Sequence, residues 1–397
     1  MKVAIIHTDF RIYWSARLRA LNNFLKGRGI SMDVIEIAGA GSPYAFADKG
    51  DSSDLTWHIL FPERKMEELQ PRKIRGKLYE KLSQINPDVL IAGAIAFPSG
   101  ALSVSWAMKN KKRVICFDDA KIEAVKRSGI VNYIKQNVYN GVYAMLYPSP
   151  DWELTGRFWG FKQEQLFYGI DVVDNEFWQD YTDKSTLECK RYFLAVGRQI
   201  PQKNFFHIVR SYKKYYDKYG SEKSFPLVMV GDGPEHGKIV QFVREQGLED
   251  MVTLMPFKSQ TELKQIYHEA ELLILSSSSE TWGLVINEAM ACGLPVISSN
   301  ECGATHTLIK DGENGFSFSL ADEDSLFEKM CQYNDLSDDR KADMRYAALK
   351  IIANWGLPRF CQCCYDAINY VSVRPLKKFP LINKLVINLW NGRYRPI

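Results

Sequence analysis

The chain reads as an α/β protein built from two doubly wound, Rossmann-like domains with parallel sheets. Short apolar runs recur without the polar alternation of a sheet wetted on one face, as expected of parallel strands buried on both sides. Longer stretches with helical spacing of apolar residues lie between them, which is the strand–helix alternation of crossover units. The series stops and restarts near Gly169–Asp180, so two such domains are expected in tandem.

The first run, Val3–Ile6, follows Lys2 directly and is too short for the apolar core of a signal peptide, so it reads as a buried strand. Val89–Ala92, Val114–Phe117 and Ala144–Tyr147 continue the series. Between the first two, Asp48–Arg75 is polar, holds Pro62 and Pro71, and is expected to be an irregular excursion. The second series consists of Phe193–Val196, Leu227–Val230, Val252–Leu254, Leu272–Leu275 and Val296–Ser298, with helical spacing over Phe205–Lys218 and Glu262–Ala270. The expected division is residues 1–170, residues 171–372 and a basic tail over 373–397. In the tail, Ile382, Leu385, Val386, Leu389 and Trp390 share helical spacing after Pro380, flanked by Lys377, Lys378 and Lys384. That stripe either packs back on the first domain or lies on an anionic membrane. Cys361, Cys363 and Cys364 sit in an apolar helical pattern without a second ligand pair and read as core residues; no metal site is expected.

A chain of 397 residues, 46% hydrophobic and 25% charged, is neither disordered nor fibrous. No apolar run approaches the roughly 18–20 residues that span a bilayer. Eight cysteines in this length do not make a disulfide scaffold, and a cytoplasmic location with reduced thiols is expected. The formal charge is +7 over residues 1–170, −9 over 171–372 and +6 over 373–397. This asymmetry suggests different partners for the two domains, with an anionic surface suited to the first and the tail; solvated faces account for the charge equally well.

In open α/β sheets, ligands bind beyond the carboxyl ends of the strands, near free amides of helix N-termini, and the expected site is a central cleft faced by both domains. Three strand ends in the second half are informative. Phe193–Val196 runs into Gly197 and Arg198, with Lys203 five residues on; a guanidinium fork and a point charge suit a diphosphate, although both also read as solvated loop charges. Leu272–Leu275 leads through four serines to Glu280, Thr281, Trp282 and Gly283, then a helix with Leu284, Val285 and Glu288. The helix amides would face a phosphate, and the two carboxylates the hydroxyls of a sugar or ribose. The alternatives are a helix cap for Glu280 and a surface charge for Glu288. Val228–Pro234 ends in Gly231-Asp232-Gly233, a generic turn.

These residues resemble glycosyltransferase family 4, retaining, nucleotide-sugar-dependent enzymes of the GT-B fold (glycosyl transferases group 1). The resemblance rests on AVGRQIPQKN (195–204), LVMVGDGPE (227–235), the long block 252–299 with the family's Glu-x7-Glu element at Glu280 and Glu288, and GATHTLIKDGENGFSF (303–318). FYGIDVVDNEFW (167–178) is similar to the family's interdomain hinge. It implies that Arg198 and Lys203 bind the donor diphosphate, that Glu280 contacts the donor sugar and Glu288 the ribose, and that Glu280, Arg198 and Lys203 are the catalytic set. It further implies that amides over Thr281–Val285, centred on Gly283 and Leu284, support the distal phosphate. Gly197 and Gly231 would approach the donor, and the Pro256–Lys258 turn, with Phe257 and Lys258, would lie by the base. The donor would be a UDP- or GDP-sugar, with no metal and no other cofactor.

The sequence departs from the family where a Gly-rich loop usually follows the first strand; His7-Thr8-Asp9-Phe10-Arg11 stands there instead. Asp118-Asp119 occupies the place of a common first-domain histidine, and His306 that of a usual acid. Asp9, Arg11, Asp118 and Asp119 are therefore expected on the acceptor side, with strand-end caps as the alternative. Lone His7, His207, His236 and His268 show no pairing that marks a base. The expected acceptor is a glycan or lipid-linked glycan in cell-surface polysaccharide assembly, with peripheral membrane association and no nucleic acid. The rivals are a nucleotide-sugar isomerase and a non-catalytic nucleotide-sugar-binding subunit.

Overall fold

The computed structural model describes residues 1–40, 54–123, 127–181 and 191–393. The chain divides into two units, Met1–Val172 with Leu357–Ile397, and Val173–Gly356.

The first unit holds seven strands, β1 (Lys2–His7), β2 (Ser31–Ala38), β3 (Thr56–Phe61), β4 (Val89–Ala92), β5 (Arg113–Phe117), β6 (Ala144–Tyr147) and β7 (Leu166–Tyr168). They form one parallel sheet in the order β3-β2-β1-β4-β5-β6-β7, so the winding reverses between β1 and β4. Successive strand residues face opposite sides. Val3, Ile5, Val89, Ile91 and Ile115 pack with the helices Trp14–Lys26 and Leu357–Ser372. Ala4, Ile6, Leu90, Ala92 and Val114 between them are equally buried, on the side of the helix Pro98–Lys109. Burial on both faces explains the missing polar alternation.

Two expectations are corrected. The stretch over 48–75 is not irregular throughout: 48–53 lies outside the described residues, but Thr56–Phe61 is the edge strand β3 and a helix starts at Pro71. Proline at the first helical position begins a helix rather than preventing one. The second expectation placed residues up to 372 in the second domain, whereas Leu357–Ser372 belongs to the first unit. Its buried face, Phe360, Cys361, Cys363, Cys364, Ala367, Ile368 and Val371, completes the core beneath β5–β7 and against Trp14–Lys26. Strand β2 went unmarked because Asp33 and Glu36 interrupt its apolar run. Both are buried and hydrogen-bonded, Asp33 to His58 Nε2 at 2.9 Å and Glu36 Oε2 to Trp57 Nε1 at 3.0 Å.

The second unit holds β8 (Phe193–Val196), β9 (Leu227–Val230), β10 (Val252–Met255), β11 (Leu272–Leu275), β12 (Val296–Ser299) and β13 (Gly315–Phe318). Their parallel order, β10-β9-β8-β11-β12-β13, repeats the pattern of β1–β6, with the reversal between β8 and β11. Among the described residues no helix is long and apolar enough to cross a membrane.

Candidate active site

The reversal between β8 and β11 opens their carboxyl ends, and the residues that follow, 197–203 and 276–283, form the candidate site. The amide of Gly197 still donates to Val230 O at 3.0 Å, and one 3-10 turn over Pro201–Lys203 brings Lys203 back across the strand end. Its stem passes over Gly197, where a Cβ would lie 3.5 Å from the lysine Cδ and Cε. Its Nζ then pairs with Glu280 Oε2, and the two side chains are 17% and 18% exposed. Ser277 Oγ donates to the same oxygen at 3.4 Å, and the Ser278 amide donates to Gln202 O at 2.7 Å, lacing the two loops together. Arg198 is half-buried, and among the described residues its guanidinium has no hydrogen-bond or ion-pair partner.

A second set of contacts holds the acidic loop from the β12 side. Glu280 donates its amide to Glu301 O at 3.2 Å and accepts from the Gly303 amide at 3.1 Å, while Trp282 O accepts from the Ala304 amide at 2.8 Å. Gly283 has φ +100°, and a Cβ there would lie 2.6 Å from Cys302 Sγ, so only glycine fits the turn into the helix Leu284–Ala291. Among the described residues the amides of Gly283, Leu284 and Val285 have no protein acceptor. Three free N–H groups at the positive end of a helix make a ready anion site.

Glu288 is not the helix-surface charge of one expectation. It is 2% exposed, and Tyr267 Oη donates to its Oε2 at 2.7 Å. Trp282 directs its ring inward, donating from Nε1 to Asn287 Oδ1 at 2.9 Å and tilting against Trp355, so its side chain is a wall of the loop. Thr281 is exposed, and Leu284 and Val285 are half-buried. Gly231 serves the approach of β9 to β8, since a Cβ there would lie 1.9 Å from Gly197 O. Buried Gln199 seals that junction, donating from Nε2 to Gly231 O at 3.0 Å. Phe257 is 50% exposed beyond β10. Lys258 pairs with Glu262 at 3.0 Å; the Ser259 amide and hydroxyl, with Lys258, hold the Glu262 carboxyl down to about 2.

In the first unit, the four acceptor-side candidates fall at two strand ends. Beyond β1, Asp9 and Arg11 pair at 3.3 Å and Arg11 donates to Gly39 O at 2.9 Å. Beyond β5, Asp118 accepts from the Ala120 amide at 3.0 Å and from Tyr139 Oη at 3.4 Å. Desolvation, with the neighbouring Asp119 charge, pushes the Asp118 carboxyl up to about 6. Asp119 has an exposed side chain, and its carbonyl accepts from Trp152 Nε1 at 2.9 Å. His7 ends β1 among Phe10, Trp14 and Phe117, with ring centroids 5.6, 5.5 and 5.1 Å away, and burial pushes it down to about 4. It is therefore neutral near pH 7. The ring of exposed His306 hydrogen-bonds with Asn300 O at 3.0 Å.

Sequence reasoning missed Tyr267, Asn287 and Cys302, whose partners lie 21, 5 and 20 residues away. It also missed Asp171, which burial and the Asp119 charge raise to about 7 although Arg17 stands 3.9 Å away. Their spacing carried no signal, because only the fold brings these partners together.

Comparison with known proteins places the chain. A family model described as "Glycosyl transferases group 1" matches residues 179–350. N-acetyl-alpha-D-glucosaminyl L-malate synthase of Bacillus anthracis is 24% identical over 208 residues, 52% of this chain and 51% of that protein. D-inositol 3-phosphate glycosyltransferase of Acidothermus cellulolyticus is 34% identical over 129 residues, 31% of this chain and 28% of that one. The chain thus spans about half or less of the length of these curated relatives. Anabaena Alr3699/HepE, solved in complex with UDP, superposes with a TM-score of 0.74 at 14% identity, covering 93% of this chain and all of that one (100%). At that identity the likeness establishes the fold, two Rossmann-like parallel-sheet domains of the GT-B type. Residues 179–350 thus carry the match to the glycosyl transferases group 1 family.

Proposed function

We propose that the protein is a retaining glycosyltransferase that moves a sugar from a nucleoside diphosphate, UDP or GDP, onto an acceptor hydroxyl. One observation carries the reading: a half-buried arginine and three helix amides, unpartnered among the described residues, stand with a lysine–glutamate pair beyond the carboxyl ends of β8 and β11, where the strand order reverses. Transfer leaves a nucleoside diphosphate carrying new negative charge, and preorganised donors lower that barrier more than any other single effect.

In this reading Arg198 takes the diphosphate through its planar fork, and the Gly283–Val285 amides take the distal phosphate. Lys203 exchanges its carboxylate partner for a phosphate oxygen, which frees Glu280 for the sugar hydroxyls. Glu288, held by Tyr267, accepts from the ribose. The leaving-group charge rests on these groups and requires no metal ion. As the glycosidic bond breaks, the sugar passes through an oxocarbenium-like state, and front-face attack by the acceptor hydroxyl retains configuration. Asp118, Asp119, Asp9 and Arg11 belong to the acceptor side, and the acceptor is a lipid-linked glycan or glycolipid of cell-surface polysaccharide assembly. The Anabaena neighbour's UDP complex supports a nucleotide donor.

Thermal melts with UDP, GDP and ADP test the donor assignment. A diphosphate at 100 times its Kd stabilises by about 2.7 kcal/mol. The shift should vanish in Arg198→Met. Turnover of the matching nucleotide sugar with and without acceptor then separates transfer from isomerisation. Tight nucleotide binding with turnover indifferent to Glu280→Ala would favour a binding subunit instead.

A further inference from the structure

The helix Leu381–Leu389 is mounted inside out. Its seat on the first unit is largely polar. Asn383 is buried and donates to Asn137 Oδ1 at 3.0 Å, Asn388 accepts from Ser105 Oγ at 3.0 Å, and the Asn388 carbonyl accepts from Arg75 at 2.8 Å. Of its apolar side chains, only Ile387 is fully buried. Downstream, Trp390 Nε1 donates to Ile95 O at 2.7 Å and the Arg393 amide to Ala96 O at 2.7 Å. Upstream, the Lys377 amide donates to Tyr143 Oη at 2.8 Å, and its desolvated ammonium, pushed down to about 8, donates to carbonyls of residues 140 and 142. The segment is therefore anchored at both ends and in the middle.

The opposite face carries Leu381, Ile382, Leu385 and Leu389, which are 84%, 55%, 59% and 68% exposed. Offsets of one, four and eight residues put these four on one side of a helix. The helix Gly129–Tyr139, against which this one packs, adds Ile130 at 75% and Tyr133 at 56% exposure. Water is a poor environment for such a face, and contiguous apolar surface of this kind marks an interaction site. Its surroundings select the partner. Residues 373–397 carry six basic and no acidic side chains, and the helix 129–139 adds Lys135 without an acid. Lys378, Lys384 and Arg393 are exposed beside the leucines. Apolar side chains rimmed by unopposed cations fit the boundary of an anionic bilayer, where the leucines enter the acyl region and the ammonium groups meet phosphates.

We infer that the outward face of Leu381–Leu389, with Ile130 and Tyr133, is a lipid-binding platform by which the first unit docks on an anionic membrane. The inference gives the acceptor reading above a location, but it stands on the surface itself and does not need the transfer chemistry.

The test is flotation of the full chain with vesicles of phosphatidylcholine alone or with a third phosphatidylglycerol, at low and high salt. The protein should float with the anionic vesicles at low salt, and the bound fraction should fall as salt rises. Replacing Leu381, Ile382, Leu385 and Leu389 together by serine should lower the partition coefficient at least ~100-fold, since each side chain contributes several buried methylenes. The melting temperature and UDP-induced shift of that variant should match those of the parent, which separates failure of this inference from failure of the donor assignment. A wild-type protein that stays in solution with anionic vesicles, or a quadruple variant that floats as well as the parent, overturns the proposal. So does a lipid-free dimer that the same four substitutions turn into a monomer, because the face would then be covered by a second copy.

Discussion

The two sheets share a winding order and differ in what stands beyond the carboxyl ends of their strands. Beyond β8 and β11 lie Arg198, the Lys203–Glu280 pair and a glycine that opens a helix; beyond β1 and β5 lie a neutral histidine among aromatic rings and a carboxyl raised by burial. One topology thus carries a cationic, amide-rich set of strand ends in one unit and an aromatic, weakly acidic set in the other. The fold decides where strand ends open, and the loops decide what they bind.

The sharpest way to break this contrast is to remove the two cations separately. Arg198→Met and Lys203→Met should each cut kcat/KM by ~10²–10³, the size expected for one preorganised donor. They should part company in stability. Arg198 leaves no partner behind, so its melting temperature should hold, whereas Lys203→Met strands the half-buried Glu280 and should cost ~1–3 kcal/mol. Steady-state kinetics beside thermal melts read both, and equal stability loss would show that Arg198 is structurally tied after all.

Gly283→Ala comes next. The added methyl meets Cys302 Sγ in a left-handed turn, and ~1–3 kcal/mol of stability should be lost, with activity falling at least tenfold as the amides tilt. Denaturant melts and donor KM check it, and an unstrained variant would show that the loop adjusts freely.

A smaller effect belongs to the first unit. Asp118 titrates near 3.8 when unfolded and near 6 when folded, so the folded chain holds the proton more tightly. Stability therefore falls as pH rises from about 4 to 6 and stays lower above that. Asp118→Asn should remove the fall, adding ~1–3 kcal/mol at pH 7.5 and nothing at pH 4. Transfer should decline in the same variant. Unchanged transfer by it and by Asp119→Asn would remove both from the acceptor side.

The smallest effect concerns the outer edge of the second unit. Among the described residues Lys258 pairs only with Glu262, in the first turn of the helix that follows, so Lys258→Ala should change stability by no more than ~0.5 kcal/mol. Donor KM should rise about threefold if the turn lies by the base, an estimate for one exposed contact.

The second unit was the more legible because its candidate groups sit close to strand ends. Arg198 and Lys203 follow Val196 directly, and Glu280 and Glu288 fall on one loop–helix junction. The first half hid more. The charges of β2 are hydrogen-bonded by residues on the neighbouring strand, and Asp171 meets Arg17 from 154 positions away. The tail stripe was visible as a period, but which of its faces would turn inward depended on Asn137, Ser105 and Ile95, none of them in the tail.

The sequence alone determined two doubly wound parallel sheets, since short apolar runs with no polar alternation fit strands buried on both faces, and which charged residues stand beyond the strand ends of the second. Only the tertiary structure decided that Leu357–Ser372 returns to the first unit, that Glu288 is buried on Tyr267, and that four leucine and isoleucine side chains of the last helix stay in water. Local pattern specifies that a face is apolar; which face is covered depends on partners distant in the chain, and those contacts exist only once the strands are in order.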